Sequence, residues 1–183
     1  MIGNDIIDLN LAKIENNWKR KGFLEKQFTD FEINEILNSE NPFITIWLFW
    51  SMKEAAYKCY VQQYKKRFFA PKKFDCKIVS KSKGVVKIES NVYNINYLIS
   101  DNYIHSLAFK KGSEKMVSNL FFIENDNCQS KITNQSLLSN FQNDFQLEKN
   151  EWGVPYLMQQ QRKLPISIST SHHGNYGGYA ILN

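Results

Sequence analysis

The spacing of apolar residues along the chain changes near residue 74, and the change separates two kinds of predicted element. The opening "MIGNDIIDLNL" is rich in Ile and Leu with an early Gly3, which predicts a short buried strand and then a polar turn. "FTDFEINEILNS" predicts a helix with a capping box, Thr29 capping the first turn while Glu32 reaches back. Phe31, Ile33, Ile36 and Leu37 give that helix an apolar side, and Asn41-Pro42 ends it. The longest predicted helix covers about 43–64. Trp47, Trp50, Ser51, Glu54, Lys58 and Val61 follow one another there at spacings of one, three or four, so they share one stripe. The basic run "KKR" at 65–67 suits the C-terminal end of a helix, where the dipole favours cations.

Beyond that point the segments are short, β-branched and aromatic. "FDCKIVSKS", "GVVKIES", "VYNINYLIS" and "NYIHSLAFK" are broken by Gly84, Asn91 and Asp101-Asn102 and predict an antiparallel meander over about 74–110. The chain from 111 to 135 is polar around "LFFIE", and "SLLSNFQNDF" predicts a short helix. "EWGVPYL" is a turn at Gly153 and Pro155 that leads into a strand. The tail "LPISISTSHHGNYGGYAIL" reads as strand, polar loop with Gly174, and final strand. The class is therefore α+β, with antiparallel sheets packed on long helices. "NYIHSLAF" (102–109) echoes "NYGGYAIL" (175–182), which predicts one domain over 1–183 made of two pseudo-symmetric halves, 1–112 and 113–183.

Composition narrows the function. At 183 residues the chain suits one domain with a real core, and 43% hydrophobic with 14% aromatic residues rules out a disordered chain. Lys plus Arg number 23 against 18 Asp plus Glu, a formal +5. That excess suits a phosphorylated ligand or an acidic protein partner, and is too small and scattered to require nucleic acid. Cys59, Cys76 and Cys128 form no C-x-x-C, and His105, His172 and His173 add no zinc spacing, so free thiols in a reducing compartment are expected. The apolar run "FITIWLFWSM" stops at Lys53, short of the ~18 residues of a membrane span, and Asp5 and Asp8 interrupt the start, unlike a signal peptide. A cytoplasmic protein with no membrane partner is the expectation.

Three features are candidates for chemistry. Glu54 and Lys58 are one helical turn apart. They form either a solvated ion pair worth ~0.3–0.5 kcal/mol, or a charged pair beside buried aromatic surface that must find partners. Asp5 is a turn-edge aspartate or, if it converges with Glu54, half of a hard-oxygen site of the kind Mg²⁺ takes. "STSHHG" (169–174) is a phosphate-binding loop, a nucleophile with its base, or a polar turn. The adjacency of Ser171 and His172 and the lack of G-x-S-x-G argue against a hydrolase. There is no P-loop and no G-x-G-x-x-G. "WKRKGFLEK" and "YKKRFF" interleave basic and aromatic residues, a weak indication of nucleic-acid binding.

Taken in order, "IGNDIIDL", "WSMKEAAYK", "GVPY" and "ISTSHHGNYGGYAI" resemble the 4′-phosphopantetheinyl transferase superfamily: its G-x-D opening, its W/F-S-x-K-E-A-x-x-K helix, its G-K/R-P turn and its S-x-S-H loop and strand. With G-x-D first and the S-H motif last, the order is similar to the holo-acyl-carrier-protein synthase type. The resemblance implies the fold of that superfamily and Mg²⁺-dependent transfer of phosphopantetheine from coenzyme A to a serine of an apo acyl or peptidyl carrier protein, with release of adenosine 3′,5′-bisphosphate. Fatty-acid, polyketide and peptide-synthetase carriers all remain open.

The resemblance also implies roles. Asp5 and Glu54 match the metal ligands, and Glu54 and Lys58 the catalytic pair. Lys58, Lys53, Ser171 and His172 match the coenzyme A contacts. At 183 residues the chain exceeds what one small synthase subunit of that type needs, and this extra length with the echo predicts a monomeric pseudo-dimer, with a trimer as the alternative. Two departures stand out. Val154 replaces the basic residue of the G-K/R-P turn, with Arg162 and Lys163 as candidate substitutes, and Ile7 stands where the larger enzyme type carries a second acid, with Asp8 following. A non-catalytic coenzyme A- or carrier-binding homologue and a small basic nucleic-acid-binding protein are the rival readings.

Overall fold

Strand β1 (Ile2–Asp8) is buried along its whole length and runs straight into helix α1 (Leu9–Glu15). The polar turn expected there is absent because Asp8 caps the helix. Its Oδ1 accepts from the backbone N–H groups of Asn10 (2.9 Å) and Leu11 (3.1 Å). Helices α2 (Phe23–Gln27) and α3 (Asp30–Leu37) come next. The predicted capping box of α3 is present, but its apolar side is not the expected one. Phe31 and Leu37 are more than half exposed, while Glu32 is completely buried beside Ile36. Asn41 and Pro42 do not end α3 but begin α4 (Pro42–Tyr64), with the Asn41 side chain capping Ile44 N–H and proline at the first helical position, where its missing N–H costs nothing.

After a 3₁₀ turn (Pro71–Lys73) the predicted meander appears as β2 (Asp75–Ser80), β3 (Lys83–Ile88), β4 (Asn91–Ile99) and β5 (Tyr103–Phe109). These join β1 in an antiparallel sheet of order β1-β5-β4-β3-β2. The second part contains β6 (Met116–Phe122), α5 (Gln129–Leu138), β7 (Phe145–Lys149), β8 (Pro155–Gln159), β9 (Arg162–Lys163), β10 (Ser167–His173) and β11 (Tyr176–Leu182). They form two three-stranded sheets, β10-β11-β6 and β7-β8-β9. Helix α5 lies earlier than expected. "FQLEK" at 145–149 alternates with period two and pairs with β8 instead of continuing a helix. This computed structural model describes residues 1–68, 70–110, 115–124, 128–141 and 144–183, and the expected boundary between halves at 112 and 113 lies outside them. Among the described residues no helix is long and apolar enough to cross a membrane.

The main core lies between α1–α4 and the five-stranded sheet, with Phe28, Phe49, Met52, Phe74 and Tyr93 at its centre. A smaller core joins α5 to the second part through Leu137, Leu157 and Ile168. Ile2, Leu107 and Ala180 join the two parts. The echoed segments fall on β5 and β11, each an inner strand of its sheet, between β1 and β4 and between β10 and β6. The accompanying helices are unequal, 23 residues in α4 and 10 in α5.

Two features hold β1 in place between α4 and the second part. Its free edge is closed by side chains rather than by another ladder. Asn4 N–H donates to Ser169 Oγ (2.9 Å), Asp8 N–H donates to His173 Nδ1 (2.8 Å), and Gln62 Nε2 donates to Ile2 O (2.7 Å) and Ile168 O (2.8 Å). Its Gly3 lies directly on α4: a Cβ there would stand 2.0 Å from the Ala55 carbonyl oxygen. Gly3→Ala must push strand and helix apart. A loss of at least ~1–3 kcal/mol is expected, read as a lower urea midpoint.

Candidate active site

Residues on β1 alternate between two faces. Gly3, Asp5 and Ile7 look toward α4, while Asn4 and Ile6 look toward the second part. On α4, Glu54 and Lys58 meet Asp5. Lys58 Nζ donates to Asp5 Oδ1 (3.0 Å) and to the Asn4 carbonyl (2.7 Å), which among the described residues leaves one of its three N–H donors free. Asp5 is buried and Lys58 partly so. The solvated surface pair is thus replaced by an arrangement in which Asp5 links both members: it is ion-paired to Lys58 and shares a groove with Glu54.

Burial governs the electrostatics. It raises the Asp5 carboxyl above its usual value, with Lys58 pulling the other way. Burial, with the Asp5 charge second, pushes Glu54 up to about 7, against the opposing pull of Lys58. Among the described residues, the buried atoms Asp5 Oδ2, Ser51 Oγ and Ser106 Oγ lack a hydrogen-bond partner.

The other expected residues divide. Ser171 and His172 lie in β10 rather than in a loop. The polar run stays extended because alternate residues, Ser169 and His173, bond the β1 edge. His172 lines a pocket with Asp5, Lys58, Lys149 and Thr170, and partial burial, then Lys58 and Lys149, hold its imidazole below the ordinary value. Ser171 lines the same pocket but is buried, with Oγ unpartnered.

Lys53 is not brought to this centre. It is 2% exposed and donates to Glu32 Oε2 (2.8 Å) and to the carbonyls of Pro71 (3.1 Å) and Phe74 (2.6 Å), one helical step round from Glu54. Asp8 is likewise committed, its Oδ1 to the α1 cap and its Oδ2 to Asn175 N–H (3.0 Å).

A basic side chain other than the expected substitutes stands beside the Val154 turn. Arg162 and Lys163 are exposed on β9, with Lys163 over the Tyr156 ring. Arg67, just beyond α4, lies against the Gly153 turn, where a Cβ on Gly153 would stand 2.5 Å from Arg67 Nη2. Arg67, Lys149, Trp152, Tyr57 and Thr170 line a cleft of about 190 Å³ that opens onto Glu54 and Lys58. The sequence signal for Arg67 is the "KKR" run, which helix-end electrostatics explains equally well; Lys149 carries none. On the far side of the carboxylates a wider groove of about 490 Å³ is lined by Trp47, Trp50, Phe23 and Arg20.

No group of three or more His, Cys, Asp and Glu side chains among the described residues is placed to hold a metal ion alone. The two carboxylates still fit Mg²⁺. This ion commonly takes one or two carboxylates and completes its shell with water and substrate phosphates, and the Asp5 and Glu54 carboxylates are hard-oxygen donors lining one groove.

A search of curated proteins finds no significant match. Among solved structures, the chain is similar to the holo-[acyl-carrier-protein] synthase of Thermotoga maritima, at 12% identity over 88% of this chain and 83% of that one, with a TM-score of 0.44. The family model described as the 4′-phosphopantetheinyl transferase superfamily matches residues 1–109, which hold β1, α4 and the Asp5, Glu54 and Lys58 they carry. With well over half of its length in that match, the chain belongs to the 4′-phosphopantetheinyl transferase superfamily.

Proposed function

We propose that the protein moves the 4′-phosphopantetheine arm of coenzyme A onto a serine hydroxyl of an apo acyl or peptidyl carrier protein. The observation that carries this reading is the meeting of Asp5, Glu54 and Lys58 at the mouth of a cleft with a basic wall. Coenzyme A lies with its phosphates toward Lys58, Lys149 and Arg67, and Thr170 and His172 form the opposite wall. The carrier serine enters from the groove of Trp47, Trp50 and Arg20, and the chain's formal charge of +5 suits an acidic partner.

The serine oxygen attacks the β-phosphorus of the pyrophosphate. The bond from that phosphorus to the bridging oxygen breaks, and adenosine 3′,5′-bisphosphate leaves with the electron pair. Glu54, whose carboxyl is pushed up to about 7 by burial and the Asp5 charge when no metal is bound, is suited by that basicity to take the serine proton. The remaining N–H of Lys58 stabilises the departing bridging oxygen. Asp5 and Glu54 would hold Mg²⁺, which when bound neutralises charge on the pyrophosphate. Both walls come from one chain, which supports a monomer of two fused halves.

Incubation with coenzyme A, Mg²⁺ and a panel of apo carriers, followed by intact-mass analysis, tests the reading. The expected product is one phosphopantetheine added per carrier, lost with EDTA. Binding of coenzyme A with no carrier modified would overturn it. Arg67→Ala should raise KM for coenzyme A about tenfold, the worth of a charged hydrogen bond, with KM for the carrier unchanged.

A further inference from the structure

The Asp5 carboxylate has one oxygen accounted for and one that is not. Oδ1 takes the Lys58 ammonium, whereas Oδ2 is buried and has no partner among the described residues. Buried polar atoms without partners are uncommon, and each one calls for a reason. Two more lie around this one. Ser106 is directly opposite Asp5 in the β1–β5 pairing, so both side chains leave the sheet on the α4 face with Cβ atoms ~4.5–5.5 Å apart. Ser51 is one turn before Glu54 on α4, is completely buried, and lies close enough to the Asp5 carboxyl to act as a hydroxyl donor. Among the described residues neither hydroxyl has another partner.

We propose that Ser51 and Ser106 form a two-hydroxyl seat for Asp5 Oδ2 and are positioning residues of the site. A small turn of the carboxylate brings Oδ2 onto both donors, which fixes the plane of the group. Oδ1 is then held toward Lys58 and the cleft, and the side chain cannot rotate out of register with Glu54. Two hydroxyls spent in this way make the strand aspartate a rigid element. The consequence for metal binding rests on the function proposed above; the seat itself does not.

The test therefore has one readout that needs no metal. Lys58 acylation by an amine-reactive reagent, followed by peptide mass spectrometry, reports whether Asp5 still holds the ammonium. In Ser51→Ala/Ser106→Ala the rate at Lys58 should rise severalfold relative to an exposed lysine such as Lys163. Mn²⁺ binding to the substrate-free protein should weaken about tenfold, as when groups that orient metal ligands are lost. The urea midpoint should fall as well, since the buried Oδ2 loses both of its donors. Ser106→Thr should behave as the parent and Ser106→Val as the alanine variant, which separates the hydroxyl from side-chain volume and serves where the double variant does not fold. An unchanged Lys58 rate in the double variant, or equal behaviour of the Thr and Val variants, overturns the seat. A raised Lys58 rate in a protein whose parent takes up no Mn²⁺ upholds the seat and sinks the metal assignment instead.

Discussion

Glu54→Gln is expected to stabilise the fold at neutral and alkaline pH while cutting transfer by at least ~100-fold. The activity loss comes from removing a charge at the reacting phosphates, where single electrostatic contacts carry about that much. The stability gain comes from linkage. The Glu54 carboxyl titrates at about 7 in the fold against 4.5 in the unfolded chain. Between those values the folded protein keeps a proton that the unfolded chain has released, so the residue's contribution to stability falls as pH rises from 4.5 to 7 and stays low above it. The gap between those two values corresponds to up to ~3 kcal/mol at pH 8. Glutamine does not titrate and escapes that loss. Urea unfolding of parent and variant from pH 4 to 9 should give curves that meet in acid and separate through neutrality. Parallel curves, or a variant weaker at pH 8, would show that burial does not strain Glu54.

The second large effect belongs to Lys53. Its ammonium and the Glu32 carboxylate are both buried, and the carboxylate also accepts from Thr29 N–H (2.8 Å) and Cys76 N–H (2.8 Å). One ion pair thus ties α3, α4, the 3₁₀ turn and β2 together. Removing one partner strands a charge in the core, so Lys53→Met or Glu32→Gln should each cost ~3–5 kcal/mol. The double variant should recover much of this, because glutamine still serves a backbone N–H and no charge is left unpaired. A double-mutant cycle in urea measures the coupling. A coenzyme A contact at Lys53 would show instead as a raised KM with an unaltered midpoint.

How much of the fold is legible in the chain depends on distance along it. The capping box of α3, the long helix and the four-strand meander are set by neighbours a few residues apart, and all appear. Helix α1 escapes a sequence reading because Asp8 resembles any polar turn residue until its carboxylate is seen on two N–H groups. The apolar side of α3 is misjudged because Glu32, a surface residue by type, turns inward to a lysine 21 positions on. The same applies to the site. Glu54 and Lys58 share a stripe by spacing alone, but Ser106 meets Asp5 only through strand pairing, and Arg67 meets Gly153 only through tertiary packing. The substrate comes from the resemblance to a family, since no spacing encodes it.

The side-chain seam between β1 and β10 also bears on when the protein becomes competent during synthesis. Its hydrogen bonds join residues 165 positions apart. Closing so long a loop is entropically slow, whereas α4 and the meander rest on nearer contacts and can assemble first. A nascent chain can therefore bring Asp5, Glu54 and Lys58 together while the cleft still lacks Thr170 and His172. Ribosome-bound intermediates should hold the charged centre without the wall that confines a substrate, and competence should arrive in one step as β10 docks.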